Sequence, residues 1–168
     1  MAKPKKPLAE KGAENAADLY TMVGVALSWW EASEDIILGL YRRLCGQTEP
    51  LAMEAFIDSP RGRRTRMLRS ALHAFQYRLL PEEIRAVEKS LVELDKLAPL
   101  RNEIAHGHVS NCTMDEEGRR IAEGNYLLPS LNESGPHERG YRYHHTLESL
   151  NQFVAEVRKW RGDIMDVD

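Results

Sequence analysis

Residues 81–107 read PEEIRAVEKSLVELDKLAPLRNEIAHG. A proline followed by two acids marks a helix start. The missing proline N–H falls among donors that would have no partner within the helix, and Glu82 and Glu83 lie at the positive end of its dipole. Ile84, Val87, Leu91, Leu94 and Ala98 then recur at alternating three- and four-residue spacing, the narrow apolar seam of a packed bundle helix. Pro99 interrupts the pattern. It removes a backbone donor and crowds the preceding turn, so a kink is expected there. The helix resumes through Arg101–His106 and stops at Gly107.

The flanking sequence carries the same period. Leu19, Met22, Val23, Ala26, Leu27, Trp30, Ile37, Leu40, Tyr41 and Leu44 predict one long amphipathic helix over about 14–45, stopped by Gly46. A short helix is expected around 50–57. Asp58-Ser59-Pro60 is a cap-then-proline start signal for a further long helix, whose buried stripe is Met67, Leu68, Ala71, Leu72, Phe75, Leu79 and Leu80. The last helix is expected over about 146–165. Thr146 is its N-cap, and Leu147, Leu150, Phe153, Val154, Val157, Trp160 and Ile164 form its apolar face.

Between 108 and 145 the helical period is lost. Asp115-Glu116-Glu117-Gly118 is a turn between Val109–Met114 and Arg119–Leu128, which read as a hairpin. Asn132–Gly140 is polar and loop-like, and Tyr141–His144 has the pattern of a short third strand. The expected fold is therefore all-α: an up-and-down bundle of about four long helices, with a small β-hairpin and loop insertion at about 108–145 before the last helix.

A chain of 168 residues suits one domain with a sizeable core. Residues 13–168 are read as that domain and 1–12 as a disordered basic tail. The start Met1-Ala2-Lys3-Pro4-Lys5-Lys6-Pro7 has no apolar run behind it, so a tail rather than a signal peptide is expected. The longest apolar run, Met22 to Trp30, is too short to span a bilayer, so no membrane partner is expected. Net charge is −3 and the pI is near 6.1. The surface as a whole is therefore no polyanion binder, and any nucleic-acid contact has to be local. Cys45 and Cys112 lack metal-ligand spacing and read as reduced thiols, which points to a cytoplasmic location.

The chemistry-bearing residues sit at the end of the 81–107 helix. Asn102 and His106 are four apart and share a face. Arg101 lies about 100° round from Asn102 and continues the Leu94–Ala98 line. A guanidinium there is costly unless it is paired, or unless the seam opens into a polar groove. His106 lies in the final turn, where the negative end of the dipole favours an imidazolium by up to about 2 kcal/mol. A proton carrier beside an arginine able to grip a phosphate bidentately suits acid–base chemistry on a phosphodiester. The plain alternative is a histidine that caps its helix and an arginine paired with a buried acid such as Glu34.

The run Leu100-Arg101-Asn102-Glu103-Ile104-Ala105-His106-Gly107 resembles the motif of the HEPN superfamily, Arg then often a polar residue, with His after four to six residues. The helical organisation around it agrees. The resemblance implies a homodimeric, metal-independent endoribonuclease with no cofactor, in which two motifs meet across the dimer interface. By motif position Arg101 would bind the scissile phosphate, His106 would act as acid or base, and Asn102 would orient the phosphate or the other copy's histidine. It also implies a place in a toxin or phage-defence system, with RNA as substrate and an antitoxin or regulatory protein as a further partner. The family contains catalytically silent members as well, so the alternative is a HEPN-like dimer that binds a protein or nucleotide; a third reading is a helical adaptor with Arg101 in a buried ion pair. In one subset the motif runs Arg-x4-His-x-Tyr, and a partner nucleotidyltransferase modifies the tyrosine. Here that position is His108, which makes such modification doubtful. His108 and Glu103 are auxiliary candidates, although His108 reads more simply as the first residue of the hairpin.

Arg61, Arg63, Arg64, Arg66 and Arg69 place five guanidinium groups in a short segment. They read either as a phosphate-tracking patch that guides RNA or as a face paired with Glu31, Glu34 and Asp35 of the first helix. Glu31 and Glu34 are also possible salt-bridge partners of Arg101. Trp29 and Trp30 read as core and interface packing. His137, His144 and His145 match no established ligand spacing, so no metal is expected.

Overall fold

A computed structural model describes residues 11–46, 50–114, 120–128 and 145–165. Among these residues the chain is mostly helical: α1 (Ala16–Cys45), α2 (Pro50–Ile57), α3 (Arg61–Ala74), α4 (Pro81–His106) and α5 (Leu147–Met165), with a 3₁₀ turn at Gln76–Arg78. A two-stranded antiparallel sheet, β1 (His108–Met114) and β2 (Arg120–Leu128), lies between α4 and α5 in the chain. The expected turn at 115–118 and strand at 141–144 lie outside the described residues. No described helix is long and apolar enough to cross a membrane.

The chain forms two compact units. One comprises residues up to Leu27 together with Pro99–Ala155, the other Ser28–Ala98 together with Glu156–Asp168. In the second, the expected stripes are buried: Trp30, Ile37 and Tyr41 on α1, Leu68 and Leu72 on α3, Val87, Leu91 and Leu94 on α4, Val157, Trp160 and Ile164 on α5. The Tyr41 ring stacks on Phe56 with centroids 4.3 Å apart. The Trp160 indole N–H donates to the Ser90 carbonyl at 2.7 Å. That bond satisfies a polar group whose burial would otherwise cost about 1–3 kcal/mol.

Helix α3 differs from the sequence expectation at both ends. Neither Asp58 nor Ser59 caps it. Pro60 occupies the cap position with extended backbone and no side-chain cap bond, while the Ser59 hydroxyl donates back to the Ala55 carbonyl at 2.6 Å. At the far end the helix stops at Ala74, so the stripe does not continue to Leu80, which is 58% exposed. Phe75 leaves helical geometry, Leu79 is extended, and Pro81 disfavours the helical region for Leu80. Leu80 instead caps α4: its N–H donates to the Glu83 carboxylate and its carbonyl accepts from Ile84. This is half of a capping box.

In the first unit β2 is the organising strand. It pairs with β1 in the register His108↔Leu128, Val109↔Leu127 and Ser110↔Tyr126, with a register shift after Ser110. Its other edge is met at two points. Ala13 exchanges backbone hydrogen bonds of 2.9 and 2.8 Å with Asn125, and His145 exchanges bonds of 2.8 and 3.0 Å with Leu127. Ala13 therefore enters the structure through a backbone pair that the apolar pattern does not announce. The approach at this edge is close: Gly124 has φ +120°, and a Cβ there would come within 2.8 Å of Gly12 Cα. Helix α5 starts as expected at Thr146. The Ser149 N–H donates to the Thr146 hydroxyl (3.2 Å) and the Thr146 N–H to the Ser149 hydroxyl (2.9 Å), a reciprocal cap.

Candidate functional site at the end of α4

Helix α4 runs through Pro99 as a single element, and the boundary between the two compact units falls at that residue. Beyond it, Ile104 is 1% exposed and anchors the last turns in the first unit. The period of 3.6 then fixes what faces out. Asn102 and His106 are both exposed, one above the other, while Arg101 and Glu103 are half-buried on either side of that ridge. Arg101 Nη1 lies 3.4 Å from Asn102 Oδ1, a long hydrogen bond that ties the guanidinium to its neighbour.

Gly107 sets the turn out of the helix. A Cβ on this residue would come within 2.8 Å of Leu127 Cγ and 2.9 Å of the Glu103 carbonyl oxygen, so only glycine lets the chain pass between α4 and β2. The next residue, His108, opens β1 opposite Leu128 and is exposed. Two imidazoles thus flank the glycine. His106 closes the last turn of α4.

Glu103 has a partner that motif reasoning did not supply. His145 Nε2 lies 3.2 Å from Glu103 Oε2, a charge-pairing distance at an angle that makes no hydrogen bond. His145 is buried, and both its backbone groups are held by Leu127. Burial pushes its pKa below the usual imidazole value, against the Coulomb attraction of Glu103, which raises it. With its pKa held below the usual imidazole value, this ring is mostly uncharged at neutral pH. The sequence signal for this contact was the His144-His145 pair, but only the chain reversal through β2 places His145 against α4.

The arginines of α3 lie in the second unit. Arg61 Nε bonds Glu34 at 3.0 Å and its Nη1 bonds Asp95 at 3.1 Å; its guanidinium also lies 4.8 Å from the Trp30 ring centre. Arg64 reaches Glu34 at 3.5 Å and donates to the Ile57 carbonyl at 2.6 Å. Arg69 bonds Asp95 at 3.0 Å. Two carboxylates therefore gather three guanidinium groups, and Glu34 is engaged by Arg61 and Arg64. Arg63 and Arg66 are exposed. Among the described residues no group of three or more His, Cys, Asp or Glu side chains is arranged to hold a metal ion; His137 and His144 lie outside them.

No protein-family model, curated protein or solved structure matches this chain.

Proposed function

We propose that the chain is a HEPN-type, metal-independent endoribonuclease that acts as a homodimer. The observation that carries this reading is the presentation of Asn102 and His106 on one exposed ridge of α4, flanked by a half-buried Arg101 and backed by the fully buried Ile104. One helix end carries an imidazole, an amide and a guanidinium within two turns, the groups that acid–base chemistry on a phosphodiester uses.

The chemistry follows from these groups. A base withdraws the proton from a ribose 2′-hydroxyl, whose oxygen attacks the adjacent phosphorus. The bond from phosphorus to the 5′-oxygen breaks, and an acid returns a proton to that oxygen. The products are a 2′,3′-cyclic phosphate and a 5′-hydroxyl. His106 serves as acid or base, and Arg101 stabilises the charge that builds on the phosphate oxygens. Asn102 orients the phosphate or the other copy's His106. Arg101 and His106 are separated by five residues, about 7.5 Å along the axis and well round the helix. Two copies related by a two-fold axis bring one residue of each kind to the same phosphate. A role in a toxin or phage-defence system rests on the family resemblance alone.

RNA cleavage in EDTA by the wild type, His106→Ala and Arg101→Ala tests the reading. Cleavage by the wild type to cyclic-phosphate ends, reduced about 10²–10⁴-fold in His106→Ala and comparably in Arg101→Ala, is the expected result. Absence of cleavage of any RNA overturns it in favour of a catalytically silent binder, and equal cleavage by all three proteins overturns the roles given to Arg101 and His106.

A further inference from the structure

Helix α5 carries Arg158 and Arg161 three residues apart, so both side chains leave the helix on one side, about 4.5 Å apart along its axis. Within the second compact unit both reach one indole of α1. Arg158 Cζ lies 5.0 Å and Arg161 Cζ 4.9 Å from the Trp29 ring centre, so the two cationic carbons are no more than about 10 Å apart.

A comparison within the same unit shows what is unusual here. Arg61 also lies over an indole, that of Trp30, but Glu34 and Asp95 meet its charge. Among the described residues no carboxylate lies within ion-pair distance of Arg158 or Arg161, and the buried Nε of Arg161 has no hydrogen-bond partner. The ring attracts the two cations through its face, but it accepts none of their in-plane N–H donors. Like charges at this helical spacing repel. The arrangement thus concentrates positive charge and unspent donors at one indole, and anionic oxygens that reach either guanidinium group satisfy them. Arginine forks match the oxygens of a phosphate bidentately. Trp29 is half-buried and already engaged by two cations. Its role is to hold the arginines, not to stack on a base.

We infer that Trp29, Arg158 and Arg161 form a sequence-independent clamp for the phosphodiester backbone of single-stranded RNA; the choice of RNA as the anion rests on the ribonuclease reading. Arg158 and Arg161 grip the phosphates, and Trp29 is a positioning residue.

The test is binding of a 2′-O-methyl oligouridylate dodecamer, followed by fluorescence anisotropy over a range of KCl concentrations. This strand lacks the attacking hydroxyl, so binding is read without cleavage. Two phosphate contacts on a single strand contribute about 1.4 to the slope of log K against log salt. R158Q/R161Q should bind at least about tenfold more weakly near 50 mM KCl, with a slope shallower by about that amount. R158K/R161K should keep the slope and lose part of the affinity, because charge survives and the fork does not. If the double glutamine variant fails to fold, R158Q alone carries the test with about half the slope change. Unchanged affinity and slope in folded variants, or no binding by the wild type, overturns the clamp. A wild type that cleaves RNA while the variants bind normally removes the clamp alone. A salt slope that responds to these arginines in a protein that cleaves nothing removes the ribonuclease reading alone.

Discussion

Gly107→Ala and Gly39→Ala are the same chemical change with opposite expected signs. At Gly107 the new methyl group would sit 2.8 Å from Leu127 Cγ and 2.9 Å from the Glu103 carbonyl oxygen. The carbonyl belongs to α4, and Leu127 is buried and held by backbone bonds to His145, so neither neighbour yields cheaply. Overpacking of this kind costs about 1–3 kcal/mol. Against it stands the lower entropy of the unfolded chain, which favours alanine by about 0.4–1 kcal/mol. The net expectation is a loss of about 1–2 kcal/mol, or roughly 2–8 °C in Tm for a chain of this size. At Gly39, in the interior of α1, a Cβ meets nothing within 4 Å. There the helix gains about 0.5–1 kcal/mol. Thermal unfolding of both variants, followed by circular dichroism alongside the wild type, makes the comparison. If Gly107→Ala unfolds at or above the wild-type temperature, the close approach of α4 to β2 is not a constraint on this residue.

Two further outcomes follow from contacts within the units. The depressed pKa of His145, caused by burial and only partly offset by Glu103, means that the unfolded chain takes up a proton at a higher pH than the folded one. Folding stability should therefore fall as pH drops below about 6.5, continuing until the folded-state imidazole itself titrates. Urea unfolding at successive pH values should show a smaller acid loss in His145→Gln than in the wild type, and parallel curves would contradict it. Glu34 is 10% exposed and receives both Arg61 and Arg64. Glu34→Gln should cost about 1–3 kcal/mol, less than a fully buried pair because the arginines keep water access. A shift in urea midpoint is the readout, and an unshifted midpoint would show that Asp95 and water suffice for the arginines.

Much of the helical framework was legible because the information is local. A period of three and four residues located α1, α4 and α5 to within two residues of their observed ends, and Thr146 announced the start of α5 by chemistry carried in four residues. The failures occur where tertiary structure chooses between local options. Leu79 and Leu80 continue an apolar period, but Pro81 and the Glu83 cap take Leu80 for the next helix. Ser59 is a good cap by type, yet its hydroxyl finds the Ala55 carbonyl. The ridge of Asn102 and His106 follows from spacing alone. The burial of His145 against Glu103 and the convergence of Arg158 and Arg161 on Trp29 join residues far apart in sequence, and no periodicity encodes them.

The two single-residue bridges on β2 have a consequence for how the protein behaves in a crowded solution. A two-stranded ribbon ordinarily leaves two rows of open amides and carbonyls, templates on which a stray strand can crystallise into an aggregate. Ala13 and His145 occupy the outward-pointing groups of Asn125 and Leu127 on one of those rows, and the glycine crossing at Gly12 and Gly124 leaves no room for an intruder beside them. The segments that lead into the first helix and the last helix thus double as a selvedge, binding off a border that would otherwise fray into neighbouring molecules.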